Sequence, residues 1–195
     1  VGSEMCKRDR TFSDTAKAVI EVIHNDNIAD DCARAFHIAQ SGTPGPVALI
    51  LPEDLLYGDC DAAAAKPRAP SKPGVNPDQM AEALTLIRNA ERPIVIPGGR
   101  LHGEGLADLQ RFAEEFNLPV AVPQRRFHAF DSKHKNAGGR LPNRANKALL
   151  DELKDSDLVL VIGERMLPSM TQNFSFPKAP VADQPFIHVW PDAEE

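Results

Sequence analysis

Two short apolar runs, each stopping on glycine, constrain this chain more than any other feature. The first is Pro93-Ile94-Val95-Ile96-Pro97 ahead of Gly98-Gly99, and the second is Leu158-Val159-Leu160-Val161-Ile162 ahead of Gly163. A continuous apolar run bounded by turn residues fits a strand covered on both faces, and such strands belong to parallel sheets. After Gly103 the spacing becomes helical, with Leu106, Leu109, Phe112, Ala113 and Phe116 on one stripe, and residues 118–122 form the next apolar run. Strand, glycine turn, helix and strand within about thirty residues is the size of a βαβ unit. The expected class is therefore α/β, an open parallel sheet with helices on both faces. Its carboxyl-end turns are where a nucleotide-like ligand would sit.

The first third of the chain reads differently. Residues 1–15 are polar and without period, as if cut from something longer. Ile28, Cys32, Ala35, Phe36 and Ala39 then recur at three and four residues, an apolar stripe on a helix expected to end at Gly42. Thr43-Pro44-Gly45-Pro46 forces a turn into Val47-Ala48-Leu49-Ile50-Leu51, a buried strand closed by Pro52. One helix and one strand do not make a domain, and no strand is read upstream to complete a sheet. The segment from Gly58 to Asn76 shifts to alanine, proline and glycine, which makes an extended linker and a boundary. The expected division is a remnant of one domain over 1–57, a linker over 58–75 and a second domain over 76–195.

Asn76-Pro77 restarts the chain as a helix N-cap with proline in the first turn, and Met80, Ala83, Leu84 and Ile87 should face inward. Residues 124–144 carry Arg125, Arg126, Arg140, Arg144, His128 and His134 without a sustained period. They read as a long binding loop or lid that adds one or two short strands. A helix over 145–153, with Ala145, Leu149, Leu150 and Leu153 inward, leads to the second glycine-ended strand. Residues 186–190 form the last one.

A net charge of −6 with no basic stripe argues against nucleic acid as a partner. The apolar runs fall far short of the ~20 residues of a membrane span, and no signal peptide opens the sequence, so a cytoplasmic protein is expected. Cys6, Cys32 and Cys60 show no CxxC or Cys/His ligand pattern, which leaves reduced structural cysteines and no zinc site. The neighbouring acids Glu53-Asp54, Glu114-Glu115 and Asp151-Glu152 do not face each other on turns or helices, His37 has no evident partner, and Ser41 and Ser169 lack a nucleophile elbow. No catalytic residue is assigned.

As an ordered set these segments resemble the thiamine-diphosphate-dependent enzymes of the acetolactate synthase and benzoylformate decarboxylase type. Residues 35–47, Ala-Phe-His-Ile-Ala-Gln-Ser-Gly-Thr-Pro-Gly-Pro-Val, with Leu51-Pro52-Glu53-Asp54, resemble the end of their pyrimidine-binding domain. Residues 91–99, 157–165 and 188–195 resemble successive landmarks of their Rossmann-like central domain. Those enzymes carry a catalytic glutamate early in the first domain and a Gly-Asp-Gly motif with a downstream Asn in the third, which holds magnesium and the diphosphate. Neither stretch is found in this sequence. The resemblance therefore implies the central part of an enzyme that makes or breaks a carbon–carbon bond beside the carbonyl of a 2-keto acid. Its thiamine diphosphate and Mg2+ would be anchored outside this chain, with the remaining domains and a homo-oligomer as partners, and the chain alone would be inactive.

The same resemblance implies an FAD, ADP or coenzyme A site in the central domain of some relatives. Gly98, Gly99 and Arg100 match a glycine turn that lets backbone approach a pyrophosphate, and Gly163 and Arg165 match a Gly-x-Arg that meets phosphate. Pro168 and Met170 stand near where acidic and basic residues follow in those relatives, and Trp190 stands where aspartate is frequent. Glycines that only turn a strand into a helix are the alternative, since Gly-Gly-Arg-Leu-His-Gly is not Gly-x-Gly-x-x-Gly. Arg125 and Arg126 read as phosphate ligands or as a solvated basic pair. The rival reading for the whole chain is an independent small-nucleotide-binding α/β module, which would have no use for the helix and strand of residues 1–60.

Overall fold

The structure, a computed structural model, describes residues 11–70, 74–141 and 147–191. Cys6, Arg144, Ala145 and residues 192–195 of the last landmark lie outside them. The chain divides into two units, Val1–Gly74 and Val75–Glu195.

In the first unit, β1 (Ala18–Glu21) pairs in parallel with β2 (Val47–Ile50), Ala18 opposite Val47 and Glu21 opposite Ile50. The connection between them is helix α1 (Ile28–Gln40), which packs on both strands. The expectation that nothing upstream joins the Val47 strand is thus corrected. Ala18-Val19-Ile20-Glu21 is a strand without glycine or proline punctuation, and only four residues long. The helix expected over this stretch is present, and its apolar stripe is only partly covered. Ala33 is the buried residue of this helix, whereas Phe36 is 69% exposed and lines an open groove with Ala29, Cys32 and the Ala64, Ala65 and Pro67 segment. Ala33 lies at the floor of the same groove, whose rim carries the exposed Phe36 ring.

The second unit opens with α2 (Pro77–Asn89), whose N-cap Asn76 accepts the Asp78 and Gln79 N–H groups. Met80, expected inward, is 44% exposed, whereas further along the helix Ala83, Leu84 and Leu86 are half-buried and Ile87 is buried. There follow β3 (Pro93–Pro97), α3 (Glu104–Glu115), β4 (Val120–Pro123), β5 (Ala137–Leu141), α4 (Lys147–Lys154), β6 (Leu158–Ile162) and β7 (Phe186–Val189). The loop after β4 supplies one strand, β5, in line with the expectation.

All five strands run parallel in the order β5-β4-β3-β6-β7. Successive side chains point to opposite faces of a strand, so each apolar run feeds two cores. Val95, Val120, Val122, Leu158 and Leu160 join Ile87 of α2 with Leu109 and Ala113 of α3 on one face. Ile94, Ile96, Ala121, Val159 and Val161 join Leu149 and Leu153 of α4 with Met170 and Phe176 on the other. The open parallel sheet with helices on both faces is the fold the apolar runs implied.

Chain order reverses between β3 and β6, the two central strands. One half of the sheet grows outward from β3 through β4 to β5, the other from β6 to β7. At such a switch point the loops leaving neighbouring carboxyl ends diverge to opposite faces and leave a crevice.

Candidate functional site

The carboxyl ends of β4, β3, β6 and β7 stand side by side, and each contributes residues to one cluster. β3 ends in Gly98, Gly99 and Arg100, while β6 ends in Gly163, Glu164 and Arg165. β4 leads to Arg126, and Trp190 follows β7. All five residues proposed from sequence, Gly98, Gly99, Arg100, Gly163 and Arg165, therefore fall at the switch point of the sheet.

The two glycine turns touch. Gly98 N–H donates to Ile162 O at 2.8 Å and Arg100 N–H to Gly163 O at 3.1 Å, so the β3–β6 pairing continues past the ends of both strands. A Cβ on Gly98 would land on the carbonyl of Gly163, which is why residue 98 has to be glycine. The guanidinium carbons of Arg100 and Arg165 lie 5.8 and 5.7 Å from the Trp190 ring centroid, within the range of cation–π attraction. His188 lies between Phe186 and Trp190, each ring centroid 5.9 Å away, and its Nε2 bonds the Glu164 carbonyl at 2.9 Å. A carbonyl only accepts, so Nε2 carries the proton.

Sequence reasoning missed the acid at the centre. Glu164 is only 8% exposed, and its Oε2 accepts both Gly99 N–H and Arg126 Nε, each at 3.1 Å. A buried carboxylate requires such donors, since losing its water would otherwise cost several kcal/mol. The reading of Arg126 as part of a solvated pair is corrected on the same contact. Arg125, its neighbour, is the exposed one and has a φ of 69°. The available signal was a charged residue directly behind an apolar strand and its glycine, where a side chain has little water to reach.

A second acid closes the opposite end of the central pair. Asp157, just before β6, accepts Glu91 N–H at 2.8 Å and Arg92 N–H at 2.9 Å. The carboxylates flanking β6 thus tie down backbone donors at both ends of β3.

On the far side of β4, Glu114 of α3 takes Gln110 Nε2 at 3.1 Å and His134 Nε2 at 2.9 Å. These hydrogen bonds, Gln110 first and then His134, hold its carboxyl below the usual glutamate range. His134 Nδ1 accepts Asn136 N–H at 3.1 Å, and its ring meets Phe130 edge-on at 5.1 Å. The contact pins the segment between β4 and β5 to α3.

Arginines at the ends of adjacent parallel strands suit an anionic group. Among the described residues no three His, Cys, Asp or Glu side chains lie together as metal ligands. No helix among them is long and apolar enough to cross a membrane.

Fold and cluster together define a Rossmann-like α/β unit with a basic face at its switch point. The family model described as the central domain of thiamine pyrophosphate enzymes matches residues 80–195, and the chain belongs to that family. It is 33% identical over 147 residues to an acetolactate synthase of Mycobacterium bovis, covering 72% of this chain and 24% of the relative. To a sulfoacetaldehyde acetyltransferase of Alcaligenes xylosoxydans xylosoxydans it is 28% identical over 158 residues, 80% of this chain and 26% of the relative. A glyoxylate carboligase of Escherichia coli O157:H7 matches at 31% over 136 residues, 68% and 23%. The chain spans about a quarter of the length of these curated relatives.

Proposed function

We propose that this chain is the central domain, with the tail of a pyrimidine-binding domain over residues 1–57, of a thiamine-diphosphate-dependent 2-keto acid decarboxylase or carboligase of the acetolactate synthase kind. The observation that carries the reading is the family match over residues 80–195, the stretch that folds into the five-stranded sheet. Thiamine diphosphate with magnesium would supply the carbon–carbon chemistry in the whole enzyme. The role of this chain is scaffolding, packing against the remaining domains and against further copies in a homo-oligomer. A cytoplasmic setting belongs to this reading. Gly98, Gly99, Arg100, Gly163 and Arg165 form a site for the diphosphate of ADP or FAD.

Calorimetric titration of the 195-residue chain with thiamine diphosphate and magnesium tests the scaffolding role. No saturable binding is expected. A micromolar affinity would mean that the chain carries its own anchor, and the scaffold reading would fall.

A further inference from the structure

Four successive backbone N–H groups leave the β3 turn, and their partners decide what it can bind. Gly98, Arg100 and Leu101 donate to the carbonyls of Ile162, Gly163 and Gly98, at 2.8, 3.1 and 3.2 Å. These three are locked into the strand pairing and the turn. Gly99 N–H alone is held by a side chain, the Glu164 carboxylate. The same oxygen takes Arg126 Nε, and the Arg126 guanidinium lies over Gly99, 2.5 Å from where a Cβ would stand. One anionic oxygen shared by a glycine-turn N–H and a guanidinium is how a phosphate oxygen is held at such turns.

We propose that Glu164 is the specificity determinant of this face, an internal carboxylate standing in for a ligand's phosphate at Gly99 and Arg126. A diphosphate gains those two donors only by displacing it. The inference rests on the phosphate-site reading of the two glycine turns. Arg100 and Arg165, gathered on Trp190, draw an anion toward the face, while the Glu164 charge repels it from the turn. Binding in the unaltered protein is therefore weak, and neutralising Glu164 strengthens it. A carboxylate that served only as a strut between β3, β4 and β6 would give the opposite result: its removal would loosen the turns and add no affinity.

The experiment is calorimetric titration of the full chain with inorganic pyrophosphate and, separately, with ADP, repeated on Glu164→Gln, Arg165→Ala and the double variant Arg126→Gln/Glu164→Gln. Fluorescence of Trp190, the single tryptophan, gives a second readout. Glu164→Gln keeps an oxygen for Gly99 N–H, so the turn retains its partner while the charge is gone. It should bind both probes roughly ten- to a hundredfold more tightly, the worth of one charge-assisted contact, and the double variant should lose that gain. Equal affinity in Glu164→Gln and the unaltered chain, or a gain for ADP without one for pyrophosphate, overturns the proposal. If Arg165→Ala still weakens binding in that case, the phosphate-site reading survives without it. A gain in Glu164→Gln with Arg165→Ala unchanged keeps Glu164 and removes Arg165 from the site. Absence of binding in every protein overturns both. A measurement without substitution stands beside these: saturating pyrophosphate should shift the amide resonance of Gly99 in the isotope-labelled unaltered chain, and an unmoved resonance counts against displacement.

Discussion

Leu49 in β2 and Leu160 in β6 both sit in the middle of parallel strand pairs, yet Leu160 is 2% exposed and Leu49 is only half-buried. The difference lies in what surrounds each pair. β6 has β3 on one side and β7 on the other, with helices over both faces of the sheet. Among the described residues β1 and β2 form a sheet of two, packed by α1, and both are edges of it. Ile23, Phe36, Leu56 and Tyr57 of that unit are 60% exposed or more. Two strands and a helix bury too little to be stable alone, and bare edges with apolar side chains favour association. The same short apolar strand is thus finished structure in one unit and an unsatisfied surface in the other.

The largest test of this contrast is truncation of the two leucines. Leu160→Ala removes a side chain from a sealed core and should cost about 2–5 kcal/mol in denaturant unfolding. Leu49→Ala should cost clearly less. Phe36→Ala should stay within roughly 0.5 kcal/mol, as exposed positions do, while reducing self-association in sedimentation. Equal costs for Leu49 and Leu160 would break the comparison and mean that the first unit is as well sealed as the second.

Glycines sharpen it next. Gly98→Ala places a methyl group on the Gly163 carbonyl and should destabilise the sheet by about 1–3 kcal/mol, lowering the melting temperature. Gly74→Ala meets nothing within 4 Å and should be neutral or slightly stabilising. If the two substitutions behave alike, the close approach of the β3 and β6 turns is not what fixes glycine at residue 98.

What the sequence disclosed follows the same division. The runs at Ile94 and Val159 are uninterrupted and end on glycine, so their strands and the face they build could be read directly. The Ala18–Glu21 strand could not, because its burial depends on pairing with residues almost thirty positions away and neither end is marked by glycine or proline. Met80 misled for a related reason. Periodicity gives a helix an apolar stripe, but how far that stripe is covered depends on neighbours that only tertiary structure supplies. At the candidate site, Gly98, Gly99, Arg100, Gly163 and Arg165 could be picked out because a strand that ends on glycine is a local pattern. Glu164 and Arg126 were not, since an ion pair spanning 38 positions leaves no local pattern.

The smallest effect concerns how each unit holds its surface segments. Arg68 and Asp30 form an ion pair in the first unit with both side chains more than half exposed, so it should contribute about 0–1 kcal/mol and fade with salt. Glu114 instead receives two directed hydrogen bonds, from Gln110 and His134, which hold its carboxyl below the 4.5 of an unperturbed glutamate. A depressed folded-state value means that the unfolded chain takes up the proton first as pH falls. The contribution is then complete above the unfolded value, declines below it and is lost once the pH passes the folded value. Melting curves of the unaltered chain and Glu114→Gln should therefore differ at neutral pH and converge as the solution is acidified through that window. Convergence should come with faster amide exchange in the segment between β4 and β5, which the Glu114–His134 contact pins. Parallel melting curves down to about pH 3 would mean that the carboxylate is not what holds this segment, leaving Phe130 in the core as its anchor.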